Sequence, residues 1–224
     1  ESEASTSGET DTAPAEASAT VDGGLICPAD LGGYAAILPS LLTKANGAES
    51  IVTEWLTGCA AFDEGRGTVQ FGDFNGDGSE DALVMPVIVS DLGFGPNGSQ
   101  GSVLIYHGDK GGGFTLAANP EVFGQPNFLA IGDLNGDRQV DLAWTVVGCS
   151  TFCVTEVQVV SWDAPAGEYL SQIQSGATLA EGTAAFEAAQ GGGKRMQLVL
   201  SGVVSQTPEG GLATPHREVW RSID

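Results

Sequence analysis

Basic residues are scarce in this chain of 224 residues, which contains eight Lys and Arg against 29 Asp and Glu. The formal net charge is therefore −21 at pH 7. Binding to nucleic acid or to anionic lipid requires a basic surface, so this composition argues against both kinds of partner. An acidic chain is instead a natural host for Ca²⁺, although much of the charge also keeps the protein soluble.

Long apolar runs are missing as well, because the chain has no stretch of 18 consecutive apolar residues. We therefore expect no transmembrane segment. Residues 1–24 are rich in Ser, Thr, Ala and Gly and contain acids but no Lys or Arg. This composition predicts a disordered acidic tether over 1–24. The tether resembles the spacer that follows the lipidated cysteine of bacterial surface lipoproteins, so a lipid anchor upstream of residue 1 is one hypothesis.

Cysteines are few but even in number, since the chain contains four. In a chain that looks exported, four cysteines favour two disulfides. Cys149 and Cys153 bracket a short turn that one bridge can close, and elimination then pairs Cys27 with Cys59. Zinc is the alternative, but the spacing does not fit paired knuckles. We therefore expect an extracytoplasmic protein, either secreted, periplasmic or a cell-surface lipoprotein.

Residues 25–64 have helix start and stop signals, whereas a pattern of strands and turns follows from residue 65. They predict a small helical cap, held by the Cys27–Cys59 bridge. Asp30 is a candidate N-cap for a first helix, and Pro39 suits the first turn of a second helix that ends at Asn46-Gly47. Ser50 then opens a third helix. The apolar face of that third helix is formed by Ile51, Trp55 and Leu56.

From residue 65 onward, runs of Val, Ile, Leu and Phe alternate with clusters of Gly, Asn and Asp, which is typical of an antiparallel β protein. Two strand–loop–strand units are visible. The first joins 68–71 to 82–89, and the second joins 128–131 to 142–147. We therefore expect a mainly β fold.

The loop in each unit is rich in oxygen-bearing side chains at matching positions. Asp73-Phe-Asn-Gly-Asp-Gly-Ser-Glu-Asp81 recurs as Asp133-Leu-Asn-Gly-Asp-Arg-Gln-Val-Asp141. Ca²⁺ takes six to eight oxygen ligands, and positions 1, 3, 5 and 9 supply them from side chains, with a backbone carbonyl at position 7. The candidate metal ligands are Asp73, Asn75, Asp77, Ser79, Asp81, Asp133, Asn135, Asp137, Gln139 and Asp141.

Two alternatives compete with this interpretation of the loops. A helix–loop–helix calcium site needs an acid at position 12, but those positions hold Val84 and Trp144. The other alternative is an Asn-Gly-Asp turn without metal. Three converging carboxylates repel one another, which favours a bound cation over that turn.

The segments GDFNGDGSEDALV (72–84) and GDLNGDRQVDLAW (132–144), with the hairpin VLIYHGDKGGGF (103–114), resemble FG-GAP/VCBS repeats. The resemblance extends over about 65–223 and is weak in a third unit, where the loop is reduced to Gln190-Gly-Gly-Gly193. It implies four-stranded antiparallel blades of an integrin-α-like β-propeller. It also implies Ca²⁺ in the loop between the first two strands of a blade, held by the ligands given above.

The sequence departs from this family in two respects. Arg138 replaces the glycine found at position 6, where Gly78 stands in the first loop. That position favours positive φ, so Arg138 adds strain and a nearby positive charge, and we expect the second Ca²⁺ site to be weaker. The other departure is the count of about three units, because a closed propeller usually has at least four blades. We therefore expect an incomplete or open propeller whose exposed edge the helical cap covers.

No pairing of residues in the sequence demands an enzyme. His107 and His216 fall in predicted loops without a nucleophile beside them. Our first hypothesis is a non-catalytic, Ca²⁺-stabilised binding or docking module, an accessory subunit or surface protein whose partner is a protein or a membrane-associated complex. The alternative is a carbohydrate-active enzyme or a sugar-binding accessory domain, which would need two convergent acids that hold no metal.

Overall fold

The computed structural model describes residues 26–63, 65–91, 93–173, 177–188, 196–205 and 213–221. The fold is mainly β, as expected, with two α-helices at the N-terminal side. The helices are α1 (Leu31–Ala45) and α2 (Glu49–Gly58). The strands are β1 (Thr68–Gly72), β2 (Asp81–Met85), β3 (Val87–Val89), β4 (Ser99–Gly101), β5 (Leu104–Gly108), β6 (Phe114–Ala118), β7 (Gln125–Gly132), β8 (Asp141–Cys149), β9 (Cys153–Asp163), β10 (Glu168–Ser171), β11 (Ala177–Ala188), β12 (Met196–Ser205) and β13 (Ala213–Arg221).

Helix α1 begins and ends where the sequence predicts. Asp30 is its N-cap, since its Oδ1 accepts the backbone N–H of Gly33 at 2.9 Å. The helix stops at Asn46, which has φ 47° and donates its N–H to the Leu42 carbonyl. The predicted division into two helices at Pro39 is wrong, because α1 runs through Pro39 without a break.

A side chain from the sheet explains why the helix continues through Pro39. Proline has no N–H, so the carbonyl of Ala35, four residues earlier, loses its helical donor. The Tyr106 hydroxyl, carried by β5, donates to that carbonyl at 3.3 Å. The helix therefore keeps its acceptor satisfied through a contact with a residue 71 positions away.

Helix α2 departs from its predicted start and face. It begins at Glu49 after Ala48, without a side-chain cap, so Ser50 is not the capping residue. Val52 and Leu56 are buried, and Trp55 packs edge-on against Tyr34 with 5.7 Å between ring centroids. Ile51 is 44% exposed, so the prediction that it lies on the apolar face is wrong. Val52 lies on that face instead and is buried.

The two predicted strand–loop–strand units fold into antiparallel sheets with the same strand order. The first sheet has the order β1-β2-β5-β6, with the short ladder β3–β4 placed between β2 and β5 in the chain. In the second unit β7, β8 and β9 pair in sequence and β10 pairs with β9. Each unit is therefore a four-stranded antiparallel meander with its Asp loop between the first two strands.

The third unit is joined to the second by backbone hydrogen bonds. Residues Ala177–Ala180 of β11 pair with the first half of β9, while β10 pairs with the second half. Strands β11, β12 and β13 then continue the sheet, so seven strands form one open sheet, and none of the described sheets is closed. The second and third units are therefore parts of one continuous sheet. The predicted loop at 190–193 and the predicted tether over 1–24 lie outside the described residues.

Three apolar layers hold these elements together. The helices pack on one face of the first sheet, where Leu38, Leu42 and Leu56 are fully buried. The other face of that sheet packs against the second through residues such as Leu83, Ile105 and Trp144. A third cluster joins Leu179 of β11 and Leu200 of β12 to Val157 of β9, within the seven-stranded sheet. The helices, the first sheet and the seven-stranded sheet thus follow one another.

Both predicted disulfides are confirmed. Cys27 pairs with Cys59 at a Cα–Cα distance of 5.2 Å, and Cys149 pairs with Cys153 at 4.0 Å. Disulfides of this kind are typical of an oxidising compartment outside the cytoplasm. Among the described residues, neither helix has the length and apolar character needed to cross a membrane.

Candidate metal centres

The ten predicted ligands lie in two loops that occupy the same place in their units. The first loop connects β1 to β2 and the second connects β7 to β8. Asp81 and Asp141 are the first residues of β2 and β8, and the other eight predicted ligands precede them. The second residue of each loop, Phe74 or Leu134, is buried and anchors the loop to the core.

Asp73 organises the first half of the first loop. Its Oδ1 accepts the backbone N–H of Gly76 at 2.8 Å and that of Asp77 at 3.1 Å. Its Oδ2 accepts the N–H of Gly78 at 3.0 Å. Three N–H groups therefore point at one carboxylate, which partly offsets its negative charge.

Asn75 and Asp77 form a chain of short turns through the middle of the loop. The Asn75 Oδ1 accepts the N–H of Asp77 at 2.9 Å, and the Asp77 Oδ1 accepts the N–H of Ser79 at 2.7 Å. The Asn75 amide also donates to the Asp77 Oδ2 at 3.2 Å. The Ser79 N–H, as the main cause, holds the pKa of Asp77 below its usual value.

Asp81 is fully buried and ties the loop to two strands. Its Oδ2 accepts the N–H groups of Phe74 and Asn75, at 2.8 and 3.2 Å. Its Oδ1 accepts the N–H of Gly108, at the end of β5, at 3.0 Å. Burial raises the pKa of Asp81 above its usual value in spite of these donors.

The second loop repeats these contacts with three differences. The Asp133 Oδ1 accepts the N–H of Gly136 at 2.7 Å, but Asp133 has no counterpart of the bonds that Asp73 accepts from Asp77 and Gly78. Asp141 is fully buried and accepts the N–H of Leu134 at 2.8 Å, but its other oxygen accepts the Ser161 hydroxyl rather than a backbone N–H. Burial raises the pKa of Asp141 as well.

The third difference is at position 6, where Arg138 replaces Gly78. Gly78 has φ 83° and Arg138 has φ 73°, so both residues adopt the left-handed conformation. The prediction that this position favours positive φ is therefore confirmed, and Arg138 carries the strain that a side chain incurs there. The Arg138 side chain is exposed.

The donor chemistry of both loops fits a hard cation, because every candidate ligand would offer oxygen. In this structure, however, those oxygens face N–H groups of the loop itself. Within the described ranges, no three His, Cys, Asp or Glu side chains are grouped closely enough to hold a metal ion. A cation would therefore have to replace contacts such as the one between the Asn75 amide and the Asp77 carboxylate.

Sequence reasoning missed an aromatic cluster beside the first loop. His107 lies on β5 and not in the predicted turn, and its Nε2 lies 3.0 Å from the Tyr169 hydroxyl of β10. The His107 ring also meets the Trp162 ring edge-on, with 4.5 Å between centroids. Burial, followed by the charges of Asp81 and Asp73, raises the pKa of Tyr169. Because Tyr169 is 62 residues from His107, no local pattern in the sequence could have indicated the pair.

No protein-family model matches this chain, and no curated protein matches it significantly.

Proposed function

We propose that this chain is a non-catalytic, Ca²⁺-stabilised docking module of the FG-GAP/VCBS type that acts outside the cytoplasm. The observation that carries the proposal is the same loop geometry at the same place in two antiparallel units. In both loops the first Asp accepts the N–H of position 4, and the last Asp is buried at the start of a strand. The same loop form in both units, even where it forces Arg138 of the second loop into a strained conformation, supports a common function for the two loops.

We assign one Ca²⁺ to each loop. The first ion would be held by Asp73, Asn75, Asp77, Asp81 and the Ser79 carbonyl, and the second by Asp133, Asn135, Asp137, Asp141 and the Gln139 carbonyl. When bound, Ca²⁺ would neutralise the loop carboxylates. The loops supply the oxygen ligands, and their buried final Asp would couple each site to the adjacent strands.

We also propose that the units are propeller-like blades of an open array and that the two helices form its cap. The helices lie on the face of the first sheet that is turned away from the second sheet. In a longer array that face would be covered by another blade. Helices α1 and α2 supply the apolar cover instead, through residues such as Leu38 and Leu56.

The proposed location is extracytoplasmic, as a secreted, periplasmic or lipid-anchored surface protein. Two disulfides support an oxidising compartment. The proposed partner is a protein or a membrane-associated complex, since the net charge of −21 opposes binding to nucleic acid. The carbohydrate-active alternative would need two convergent carboxylates that hold no metal, whereas we assign the loop carboxylates to Ca²⁺.

The calcium part of the proposal is tested by Asp77→Ala, with Asp109→Ala as the matched control. Asp109 makes a similar turn between β5 and β6, accepting the N–H groups of Gly111 and Gly113, but it lies in neither proposed site. At a Ca²⁺ concentration 100 times the Kd, one site should stabilise the fold by about 2.7 kcal/mol. Thermal melts with Ca²⁺ and with chelator should show a smaller Ca²⁺ increment in Asp77→Ala and an unchanged increment in Asp109→Ala.

The wild-type protein also provides the result that would contradict the calcium proposal. If its melting temperature is the same with Ca²⁺ and with chelator, and calorimetry detects no binding, the loops are metal-free turns. The docking part is tested separately by affinity capture from the native source. A partner retained with Ca²⁺ present supports docking, and the absence of any specific partner opposes it.

A further inference from the structure

Three loops at one end of the two sheets expose phenylalanine side chains. Phe94 lies between β3 and β4 and is 58% exposed, Phe123 precedes β7 and is 64% exposed, and Phe152 lies between β8 and β9 and is 53% exposed. Val89, at the end of β3, is 56% exposed. We call Val89, Phe94, Phe123 and Phe152 the phenylalanine surface.

Backbone and side-chain hydrogen bonds bring these loops together. The N–H of Cys149 donates to the Phe94 carbonyl, so the loop of Phe94 meets the hairpin of Phe152. The Gln100 side chain donates to the Val122 carbonyl at 2.7 Å, and the N–H of Gly101 donates to the Gly124 carbonyl at 2.9 Å. The loop of Phe123 is thereby fixed to β4.

Close backbone packing leaves these loops little freedom. A Cβ on Gly124 would lie 2.2 Å from the Val147 carbonyl oxygen, and a Cβ on Gly95 would lie 2.8 Å from the Gln125 nitrogen. The Cys149–Cys153 disulfide closes the hairpin that carries Phe152. The backbone that carries the phenylalanines is therefore restrained, and a restrained backbone reduces the entropy lost when a partner binds.

The charge around the surface restricts the chemistry of a partner. The segments 86–102, 119–127 and 147–155 contain no Lys or Arg. Asp91 and Glu121 are exposed beside Phe94 and Phe123 in sequence, and the whole chain carries −21. An anionic membrane would be repelled by this charge, whereas a protein segment with Lys or Arg around an apolar face would be attracted.

We propose that the phenylalanine surface docks a protein segment that presents apolar side chains bordered by Lys or Arg. The inference rests on the docking function proposed above and names the surface and the partner chemistry for it. A few desolvated residues supply most of the binding energy at a protein interface, and aromatic residues, including Phe, are enriched in the core of such interfaces. The negative charge of the chain, with Asp91 and Glu121 exposed near the surface in sequence, favours partners that carry Lys or Arg, and the phenylalanines supply the apolar contact.

The probe for the experiment is a labelled amphipathic peptide of about 18 residues, built from Leu and Lys with its leucines on one helical face. Binding is measured by fluorescence anisotropy at about 150 mM salt with Ca²⁺ present, where long-range attraction is screened. The test variant carries Phe94→Ser, Phe123→Ser and Phe152→Ser. Its matched control carries Ile51→Ser, Leu116→Ser and Leu170→Ser, which replace exposed apolar residues elsewhere without changing the charge.

The expected result is at least about a tenfold loss of affinity in the test variant and less than about a twofold change in the control. A peptide of the same composition with scattered leucines should bind weakly, and a Leu/Glu peptide should not bind. If the triple variant misfolds, as judged by circular dichroism, Phe123→Ser alone is used. It replaces the most exposed of the three phenylalanines and should weaken binding about three- to tenfold.

Four results would overturn the inference. They are equal affinity of wild type and test variant, equal binding of the scattered peptide, phenylalanine-dependent binding to phosphatidylcholine vesicles without peptide binding, and self-association that the test variant abolishes. Failure of the surface is distinguishable from failure of the docking function. If the native partner is captured equally by wild type and test variant, docking stands and this surface is not its site.

Discussion

At the residue scale, Arg138 could weaken the second Ca²⁺ site in two ways, through backbone strain and through its positive charge, and the structure distinguishes the two. Because Arg138 has φ 73° in a loop whose oxygens face their own N–H groups, the strain is incurred on folding and not on binding an ion. Only its charge should then weaken the second Ca²⁺ site, and that charge is exposed and screened. This lowers the gain in affinity that the sequence suggests for a glycine at this position.

We therefore predict different effects for two substitutions of Arg138. Arg138→Gln removes the charge and keeps the strain, so it should raise Ca²⁺ affinity about two- to fivefold at low salt and leave stability in chelator unchanged. Arg138→Gly should give the same gain in affinity and also alter stability, by up to about 1 kcal/mol, because relief of strain is partly offset by unfolded-state entropy. Calorimetry and urea unfolding measure the two quantities. A much larger affinity gain in Arg138→Gly than in Arg138→Gln would show that the strain is incurred on binding.

Asp141 gives a second prediction at this scale, which concerns pH. Burial raises its folded-state pKa above the ordinary value of 3.8, so the folded protein holds the proton more tightly than the unfolded chain. Without Ca²⁺, its contribution to stability is therefore greatest at low pH and is lost as pH rises from 3.8 through the raised pKa. Asp141→Asn should flatten this part of the stability–pH curve, measured by urea unfolding in chelator.

Ser161→Ala provides the matched variant for the Asp141 prediction. Its hydroxyl donates to the Asp141 carboxylate and opposes the effect of burial. Without it, the pKa of Asp141 should rise further and the decline of stability with pH should steepen. A curve that is unchanged in both variants would mean that Asp141 titrates alike in the folded and unfolded chains.

The site residues that could be predicted from the sequence lie close together in one short loop. The spacing of Asp73, Asn75 and Asp77 predicted the loop, and the glycine at position 6 of the first loop predicted the positive φ that Arg138 adopts in the second. The partners of His107 and Asp141 could not be found in this way, because Tyr169 and Ser161 reach them across paired strands. Such contacts depend on strand register, which a single sequence does not fix.

At the scale of elements, helix α1 depends on a residue of the sheet. The sequence correctly indicated its cap at Asp30 and its end at Asn46 but divided it at Pro39. A proline inside a helix usually breaks it because one carbonyl is left without a donor. Tyr106 removes that cost from outside the helix, and no local rule could have anticipated it.

A double-mutant cycle tests the contribution of Tyr106. Tyr106→Phe should destabilise the fold by about 1–2 kcal/mol, because the partly buried Ala35 carbonyl loses its donor. In a Pro39→Ala background, the new N–H can serve that carbonyl, so the same change should cost about 1 kcal/mol less. Urea unfolding of the four proteins gives the coupling.

Tyr34→Phe is the control for this cycle. Its hydroxyl donates to the Cys59 carbonyl at 3.4 Å, which is a different acceptor from the Ala35 carbonyl that Tyr106 serves. Its cost should therefore add to that of Pro39→Ala without coupling. If Tyr106→Phe is also simply additive with Pro39→Ala, the hydroxyl does not support the helix in the way described.

At the scale of the whole molecule, the two disulfides close loops of very different length. Cys27–Cys59 spans 32 residues and joins the segment before α1 to the end of α2, whereas Cys149–Cys153 spans four. On the chain-entropy model the longer loop should contribute about 3.7 kcal/mol and the shorter about 2 kcal/mol. The Cys27→Ser/Cys59→Ser protein should therefore unfold at lower urea than the Cys149→Ser/Cys153→Ser protein.

The same bridges bear on the proposed location. Protein purified from its native source under non-reducing conditions should show both bridges by mass spectrometry. Four thiols open to alkylation in that material would indicate a reducing compartment and oppose an extracytoplasmic location. The result does not depend on whether the loops bind Ca²⁺.

The overall class could be predicted because alternating apolar runs and turn clusters recur along the chain. The joining of the second and third units could not, because it depends on the first half of β9 pairing with Ala177–Ala180. The sequence of β9 does not indicate where one partner strand ends and the next begins, and only the pairing in the sheet shows that β10 and β11 share its edge.

That shared edge has a consequence for how the protein is made. By the time residue 118 has left the ribosome, the helices and all four strands of the first sheet are available. The edge of β9 at 154–157 has no strand beside it until residues 177–180 follow. At about 5–20 residues per second this delay is roughly 1–4 s, during which an uncovered strand edge is open to pairing with another nascent chain.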